Sequence, residues 1–411
     1  MQWLKHRSLV QWIGAALVAG VAAGLVLPEA LLPVAATLGD IVLRLLQMLI
    51  LPIVVSTIVV GINQSGPAAL GRTGAALAVY YVTTTAVAMS IGLAVALVFS
   101  PGDGLSLPAA GDGSPPTHPG TAALLASIVP TNIVTAFAEL NMLAVLFVAI
   151  VFGLGIAIAR RRADNPDGVA TLYQAVSGLE TVTLLLMRWV LAVLPIGIFA
   201  IVAHTVATQG TSALAALARL IGVFYFGLAG QLIFYGMLLL VAGVSVACFV
   251  RGARMATLTA FATQSSTGTL PITLDAAERL GVSRAVRGTA LPLGATINMD
   301  GAALRIAVSA VFAANILGLD LGLAQLAMIV AVGTLISIGT AGVPGAGIVM
   351  IATVFSQVGL PMEAVALLSA IDALVGMGAT AINVTGDLVG AVLIDRLTGR
   401  QAGEAQPETT D

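Results

Sequence analysis

Gln264-Ser-Ser-Thr-Gly-Thr-Leu-Pro271 stands midway between Arg251 and Arg254 on one side and Arg279, Arg284 and Arg287 on the other. Lys and Arg collect in cytoplasmic loops, so both flanks lie inside. The segment between them cannot cross once, and it is too short to cross twice. Its middle is polar and helix-breaking. It therefore reads as a re-entrant hairpin that enters from the inside and returns. Residues 288–316 then cross outward. From Leu317 to Glu363 there is no Lys or Arg, and Asp320 and Glu363 bracket the stretch. Its middle, Gly339-Thr-Ala-Gly-Val-Pro-Gly-Ala-Gly347, is a second helix-breaking tip and reads as a hairpin entering from outside. Residues 364–395 cross back, and Arg396 and Arg400 close the count inside. The second half of the chain is thus hairpin, helix, hairpin, helix, in two inverted units. Ala295-Thr-Ile-Asn298 echoes Thr380-Ala-Ile-Asn383. Inverted repeats with broken helices at mid-membrane mark secondary transporters, because irregular backbone at that depth must be buried or line a cavity.

The first half follows the same sign rule. Lys5 and Arg7 place the N-terminus inside, and the apolar run after them reads as a first transmembrane helix rather than a signal peptide. The break at 28–40 and the Pro/Gly-rich stretch 100–120 have acidic but no basic residues and lie outside. The region around Thr208-Gln209-Gly210 is uncharged and fits outside. Arg72 and Arg160-Arg161-Arg162 lie inside. Arg44 is a misfit, with Asp40 one helical turn before it. Composition agrees: 411 residues, 59% hydrophobic, 9% charged, mean hydropathy +1.06. Apolar runs of about 20 residues recur along the chain, each long enough to span a bilayer. This is an all-α polytopic protein of the cytoplasmic membrane, with both termini inside and almost no room for a soluble domain. A net charge of −2 gives no sign of a nucleic-acid partner. Cys248 is the sole cysteine and reads as a buried apolar filler. The three histidines have no ligand spacing. Trp3, Trp12 and Trp189 read as interface anchors or packing residues, and Pro130 and Pro195 as helix starts or kinks. The polar tail 401–411 reads as disordered.

The chemistry gathers around two aspartates in otherwise apolar surroundings. Asp300 lies in Leu293-Gly-Ala-Thr-Ile-Asn-Met-Asp-Gly-Ala-Ala-Leu304, and Asp387 in Ala381-Ile-Asn-Val-Thr-Gly-Asp-Leu388. A carboxylate in hydrocarbon costs roughly 2.5–3.5 kcal/mol on insertion scales, so something positive or polar must meet it. Free carbonyls at broken helices suit a hard cation, and free N–H groups at half-helix N-termini suit a solute carboxylate. Asp372, Gly376, Ala379, Asn383 and Asp387 are spaced 4, 3, 4 and 4 and share one helix face. No nucleotide-binding loop points to ATP. An intramembrane aspartyl protease is a rival class, but it needs Tyr-Asp and Gly-x-Gly-Asp motifs, and neither aspartate has that context. A channel is a third class.

These motifs resemble the dicarboxylate/amino acid:cation symporters, the glutamate transporter family, in its bacterial type. Ser265–Pro271 looks like the serine-rich tip of the first hairpin and Asn298-Met-Asp-Gly301 like the unwound seventh-helix motif. Gly339–Gly347 looks like the second hairpin tip, and Asn383-Val-Thr-Gly-Asp387 like the eighth-helix motif. Tyr80-Tyr81-Val-Thr-Thr-Thr85 is similar to the third helix, and Ile128-Val-Pro-Thr-Asn132 to the start of the fourth. The resemblance implies eight transmembrane helices plus two re-entrant hairpins, a homotrimer in the lipid bilayer and an elevator mechanism. Residues 1–73 would be scaffold helices 1–2, 74–120 transport-domain helix 3 with an extracellular loop, and 121–210 scaffold helices 4–5. Residues 211–250 would be transport-domain helix 6, and 251–400 the transport core. It also implies co-transported sodium. One sodium set would be Gly294, Asn298, Asn383 and Asp387, and a second Thr296, Ser337, Ile338 and Thr340. A third would be Tyr81, Thr84, Thr85, Asn298 and Asp300. Proton coupling, of a carboxylate or a neutral amino acid, is the alternative.

The solute side departs from the resemblance. It places substrate contacts at Gln264, Ser265, Ser266, Thr267, Val343, Gly347, Gly376, Ala379 and Asn383. Acidic-amino-acid members carry an Asp where this chain has Gly376 and an Arg where it has Ala379. A threonine is replaced by Ala302, and an arginine before the serine-rich tip by Gln264. Arg305 stands where a tyrosine is usual, in an apolar span, while Asp372 is kept. The expectation is that Arg305 takes the guanidinium's place and pairs with Asp372, either touching an anionic solute or only neutralising the aspartate. The solute is then a small organic acid, a dicarboxylate or an amino acid.

Overall fold

The computed structural model describes residues 9–64, 72–103, 105, 129–139, 142–162, 166–209, 212–337, 346–358, 360 and 362–404. These form fifteen α-helices and one 3-10 turn, Glu29–Leu31, with no strand among them. The first helices are α1 (Leu9–Gly24), α2 (Leu32–Gln64), α3 (Arg72–Phe99), α4 (Ile133–Ala138), α5 (Met142–Arg162), α6 (Pro166–Gln209) and α7 (Ser212–Val241). Then come α8 (Val246–Thr263), α9 (Ser266–Arg279), α10 (Arg284–Ile297) and α11 (Asp300–Ile316). The last are α12 (Leu323–Ser337), α13 (Ala346–Val358), α14 (Met362–Ser369) and α15 (Asp372–Glu404).

The helices associate in two sets. α1, α2 and α5 all pack against α6, whose 44 residues give it a length of about 66 Å. α3, α7–α11 and α13 pack on α15, and α12 joins them through α3, α11 and α13. The sets meet where α13 lies on α2, α12 on α5 and α14 on α6. Among the described residues five helical stretches are long and apolar enough to cross a membrane: Thr73–Phe99, Asp167–Val190, Leu214–Val241, Arg284–Ile316 and Asp372–Thr398. Their surroundings differ. The apolar window of Arg284–Ile316 is 94% buried in protein and that of Asp372–Thr398 83%, whereas that of Asp167–Val190 is 6%. Helices enclosed by other helices need not be apolar on every face, so the buried pair can carry the aspartates.

The first hairpin is present. α8 and α9 lie against each other, and the link is only Gln264 and Ser265. Each arm starts with a serine cap: Ser245 Oγ accepts from Cys248 N–H, and Ser265 Oγ from Gly268 N–H at 3.0 Å. Gln264 closes α8 in the left-handed region, at φ 54°. Arms of 18 and 14 residues span about 27 and 21 Å, short of a hydrocarbon core of about 30 Å. α12 and α13 also pack together, and the tip between them, with Ile338, Thr340 and Val343, lies outside the described residues. The expected unwinding of the seventh helix falls at Asn298 and Met299, between α10 and α11.

Three expectations need correction. Cys248 is exposed, because α8 buries the opposite face, through Phe249, Ala253, Ala256 and Ala260. Residues 401–404 continue α15 rather than starting a disordered tail, since no Pro or paired Gly stops the helix there. The first break is shorter than 28–40: α2 begins at Leu32, so Asp40 lies inside it and holds Arg44 across one turn at 2.8 Å. That pair accounts for the misfit arginine, although an exposed pair of this kind is worth little.

Candidate functional site

One face of α15 meets a different partner at each step of its 4, 3, 4, 4 spacing. At Asp372 the partner is Arg305 of α11, with Nη2 2.5 Å from Oδ1 and both side chains about 5% exposed. Oδ1 has no aligned N–H, so the contact is a close ion pair rather than a bidentate fork. Arg305 also presses on Gly347 in the first turn of α13, where a Cβ would collide with Nη1. At Gly376 the partner is Gln264, whose amide end lies 2.7 Å from where a Cβ would stand. At Ala379 it is the backbone of Gly301, so close that any side chain on residue 301 would strike it.

Lower on the face, the broken helix docks. Asn383 Oδ1 accepts from Gly301 N–H at 2.8 Å, and its Nδ2 donates to Met299 Sδ at 3.2 Å. Asn383 therefore satisfies one of the orphan donors at the start of α11. Asn298 Nδ2 donates to the Asn383 carbonyl at 3.2 Å and to Asp387 Oδ1 at 3.0 Å. Gly294 lies against the Asp387 carboxylate, and a Cβ there would also stand 2.9 Å from the Tyr81 hydroxyl. The set Gly294, Asn298, Asn383 and Asp387 is thus brought together, all of it buried.

Asp300 opens α11, where the helix dipole favours a negative charge. Its Oδ1 accepts from Thr85 Oγ1 at 2.6 Å and Thr84 Oγ1 at 3.3 Å. Its Oδ2 accepts from Tyr235 at 2.5 Å and Gln231 Nε2 at 3.2 Å. Thr84 Oγ1 is also 3.4 Å from Asn298 Oδ1 and 3.2 Å from the Tyr81 carbonyl. Three acceptor oxygens therefore face one hydroxyl that has a single hydrogen. The Tyr81 hydroxyl itself turns away, donating to the Ala290 carbonyl at 2.8 Å. Tyr81, Thr84, Thr85, Asn298 and Asp300 are brought together, with Tyr81 offering its carbonyl. Of the second sodium set, Thr296 and Ser337 are described, and their hydroxyls donate to Leu293 and Thr334 carbonyls.

At the hairpin tip, Ser265 spends its hydroxyl on capping α9, and Thr267 is exposed. Ser266 is 2% exposed and its Oγ has no hydrogen-bond partner. The sequence reading missed Gln231 and Tyr235, the α7 ligands of Asp300, and Tyr80, whose hydroxyl donates to the Gly386 carbonyl at 3.2 Å. A glutamine in an apolar span, with a tyrosine one turn later, was the available signal for the first two.

The chain matches the description "Sodium:dicarboxylate symporter family" over residues 9–397. The proton/glutamate-aspartate symporter of Escherichia coli K12 is 32% identical over 370 residues, which is 87% of this chain and 83% of that one. The proton/sodium-glutamate symport protein of Bacillus subtilis is 31% identical over 385 residues, 91% and 87% of the two chains. The C4-dicarboxylate transport protein 2 of Ralstonia nicotianae is 31% identical over 371 residues, 87% and 82%. With a buried broken-helix core and this extent of similarity, the chain belongs to the sodium:dicarboxylate symporter family, whose members are membrane transporters and not enzymes.

Proposed function

We propose that the protein carries a small organic anion, a dicarboxylate or an amino acid, together with sodium across the cytoplasmic membrane. The observation that carries the cation is the oxygen cluster around Thr84. Tyr81 O, Asn298 Oδ1 and Asp300 Oδ1 converge on its hydroxyl, with Thr85 Oγ1 also donating to Asp300 Oδ1. Hard oxygen ligands with a single carboxylate suit a monovalent hard cation. The Asp387 set supplies a second such place, and Thr296, Ser337, Ile338 and Thr340 would form a third. Sodium here is cargo that drives uptake, not a resident cofactor.

The solute would lie between the first hairpin tip and α15, against Gln264, Ser266 and Gly376. Its carboxylate would meet the N-terminus of α9 and the Ser266 hydroxyl. Arg305, fixed by Asp372 and pressed on Gly347, would attract a second acidic group. The remaining solute contacts, Ser265, Thr267, Val343, Ala379 and Asn383, would shape the chamber. The two helix sets support a division of labour, with α1, α2, α5 and α6 as scaffold. α3, α7 and the core from α8 to α15 would then move as a unit within a homotrimer.

The test is uptake of labelled dicarboxylates and amino acids into proteoliposomes under a sodium gradient or a proton gradient alone. Accumulation with sodium and none with protons is expected. Proton coupling is the second reading, favoured by the similarity to the Escherichia coli proton symporter. Uptake that follows protons and ignores sodium would establish it instead.

A further inference from the structure

Two polar groups stand at the hairpin tip. One is the Ser266 hydroxyl. The other is the Gln264 amide, on a residue only 9% exposed. Burying the Ser266 hydroxyl without a partner costs free energy that a bound ligand can return. Gln264 is seated by geometry: its backbone N–H donates to the Ala260 carbonyl at 2.9 Å, and its φ is 54°. Its amide then lies over Gly376, where even a Cβ would stand 2.7 Å from it. Residue 376 must lack a side chain for Gln264 to point there. The nearest acidic group along that face of α15, Asp372, is already held by Arg305.

We infer that Gln264, seated over Gly376, is a specificity-determining residue that reads a hydroxyl beside the solute's carboxylate, so the substrate class is a 2-hydroxy dicarboxylate. This rests on the symporter reading above and narrows it. A hydroxyl both donates and accepts, and so does an amide, so the two match whichever way the amide is turned. An ammonium only donates. It would meet an amide with no free carboxylate beside it, and would enter at an uncompensated desolvation cost. A methylene would leave the amide unpaired. The second carboxylate is met by Arg305, one turn of α15 further along at Asp372.

Malate, aspartate and succinate share one four-carbon diacid skeleton and differ only in the hydroxyl, the ammonium and the bare methylene. Initial rates of each labelled solute into proteoliposomes, under sodium or proton gradients, read the inference directly. The wild-type protein should favour malate over both others by about 10-fold or more in kcat/KM. Gln264→Ala and Gly376→Ala should bring the malate rate down to the succinate rate, with the melting temperature of each detergent-solubilised variant as the folding control. Gly376→Asp should raise aspartate relative to malate. Should Gly376→Ala carry nothing, Gln264→Ala and Gln264→Asn decide the ratio. A wild-type preference for aspartate, or a malate-to-succinate ratio unchanged in the Gln264 variants, overturns the inference and leaves the symporter reading standing. No uptake of any of the three under either gradient overturns both.

Discussion

Arg305 and Asp372 form an ion pair that neither residue could abandon at low cost. Both are almost fully buried, and Asp372 sits at the first turn of α15, where the helix dipole also favours its charge. Removing one partner strands the other, which typically costs about 3–5 kcal/mol, while removing both is far cheaper. Arg305→Ala should therefore lower the melting temperature of the detergent-solubilised protein more than the double variant Arg305→Ala/Asp372→Ala. The same single variant should lose affinity for a dicarboxylate if Arg305 touches it. An unchanged KM would leave the arginine with the structural task alone. Asp387→Asn should abolish the sodium dependence of uptake, since it replaces the charge around which Asn298 and Gly294 are arranged. Sodium-driven accumulation surviving at the wild-type level in that variant would remove Asp387 from the cation path.

At the scale of elements, the broken helix α10–α11 is held by its glycines. Gly301 touches the Ala379 backbone, and Gly92 of α3 touches Leu304 and Ala307 of α11. A Cβ at residue 92 would stand 2.8 Å from the Leu304 carbonyl oxygen, so α3 and α11 could pack this closely only without one. Gly92→Val should destabilise the protein by about 1–3 kcal/mol, the usual cost of overpacking, read as a lower melting temperature. The breaks themselves were legible. Gln264–Pro271 between two basic flanks gave the first hairpin, and Asn298-Met-Asp-Gly301 the unwound turn. The α7 ligands were not legible. Gln231 and Tyr235 reach Asp300 from 65 or more residues away in sequence, and only packing of α7 on α11 brings them there. Nor could spacing show that Ser265 is spent on a cap while Ser266 is left without a partner.

For the whole molecule, the proposed movement of one helix set past the other has its direct test in a tether between them. Gly61 of α2 faces Thr296 of α10, with 3.6 Å from its would-be Cβ to Thr296 Oγ1. In a Cys248→Ser background, Gly61→Cys/Thr296→Cys should transport when reduced and stop when oxidised, with recovery on reduction. Full uptake by the cross-linked protein would rule out sliding at that contact.

The sequence alone determined the class of this protein. Charge placement and apolar length are one-dimensional properties, and they were enough for an all-helical membrane transporter with two aspartates in apolar surroundings. The motif residues also identified which oxygens gather around Asp300 and Asp387. Only the tertiary structure decided what Arg305 and Gln264 meet. Whether Arg305 meets Asp372, and whether Gln264 lies over Gly376, depends on how α8, α11 and α13 pack on α15. Those contacts join residues 67 to 112 positions apart, which no local pattern encodes.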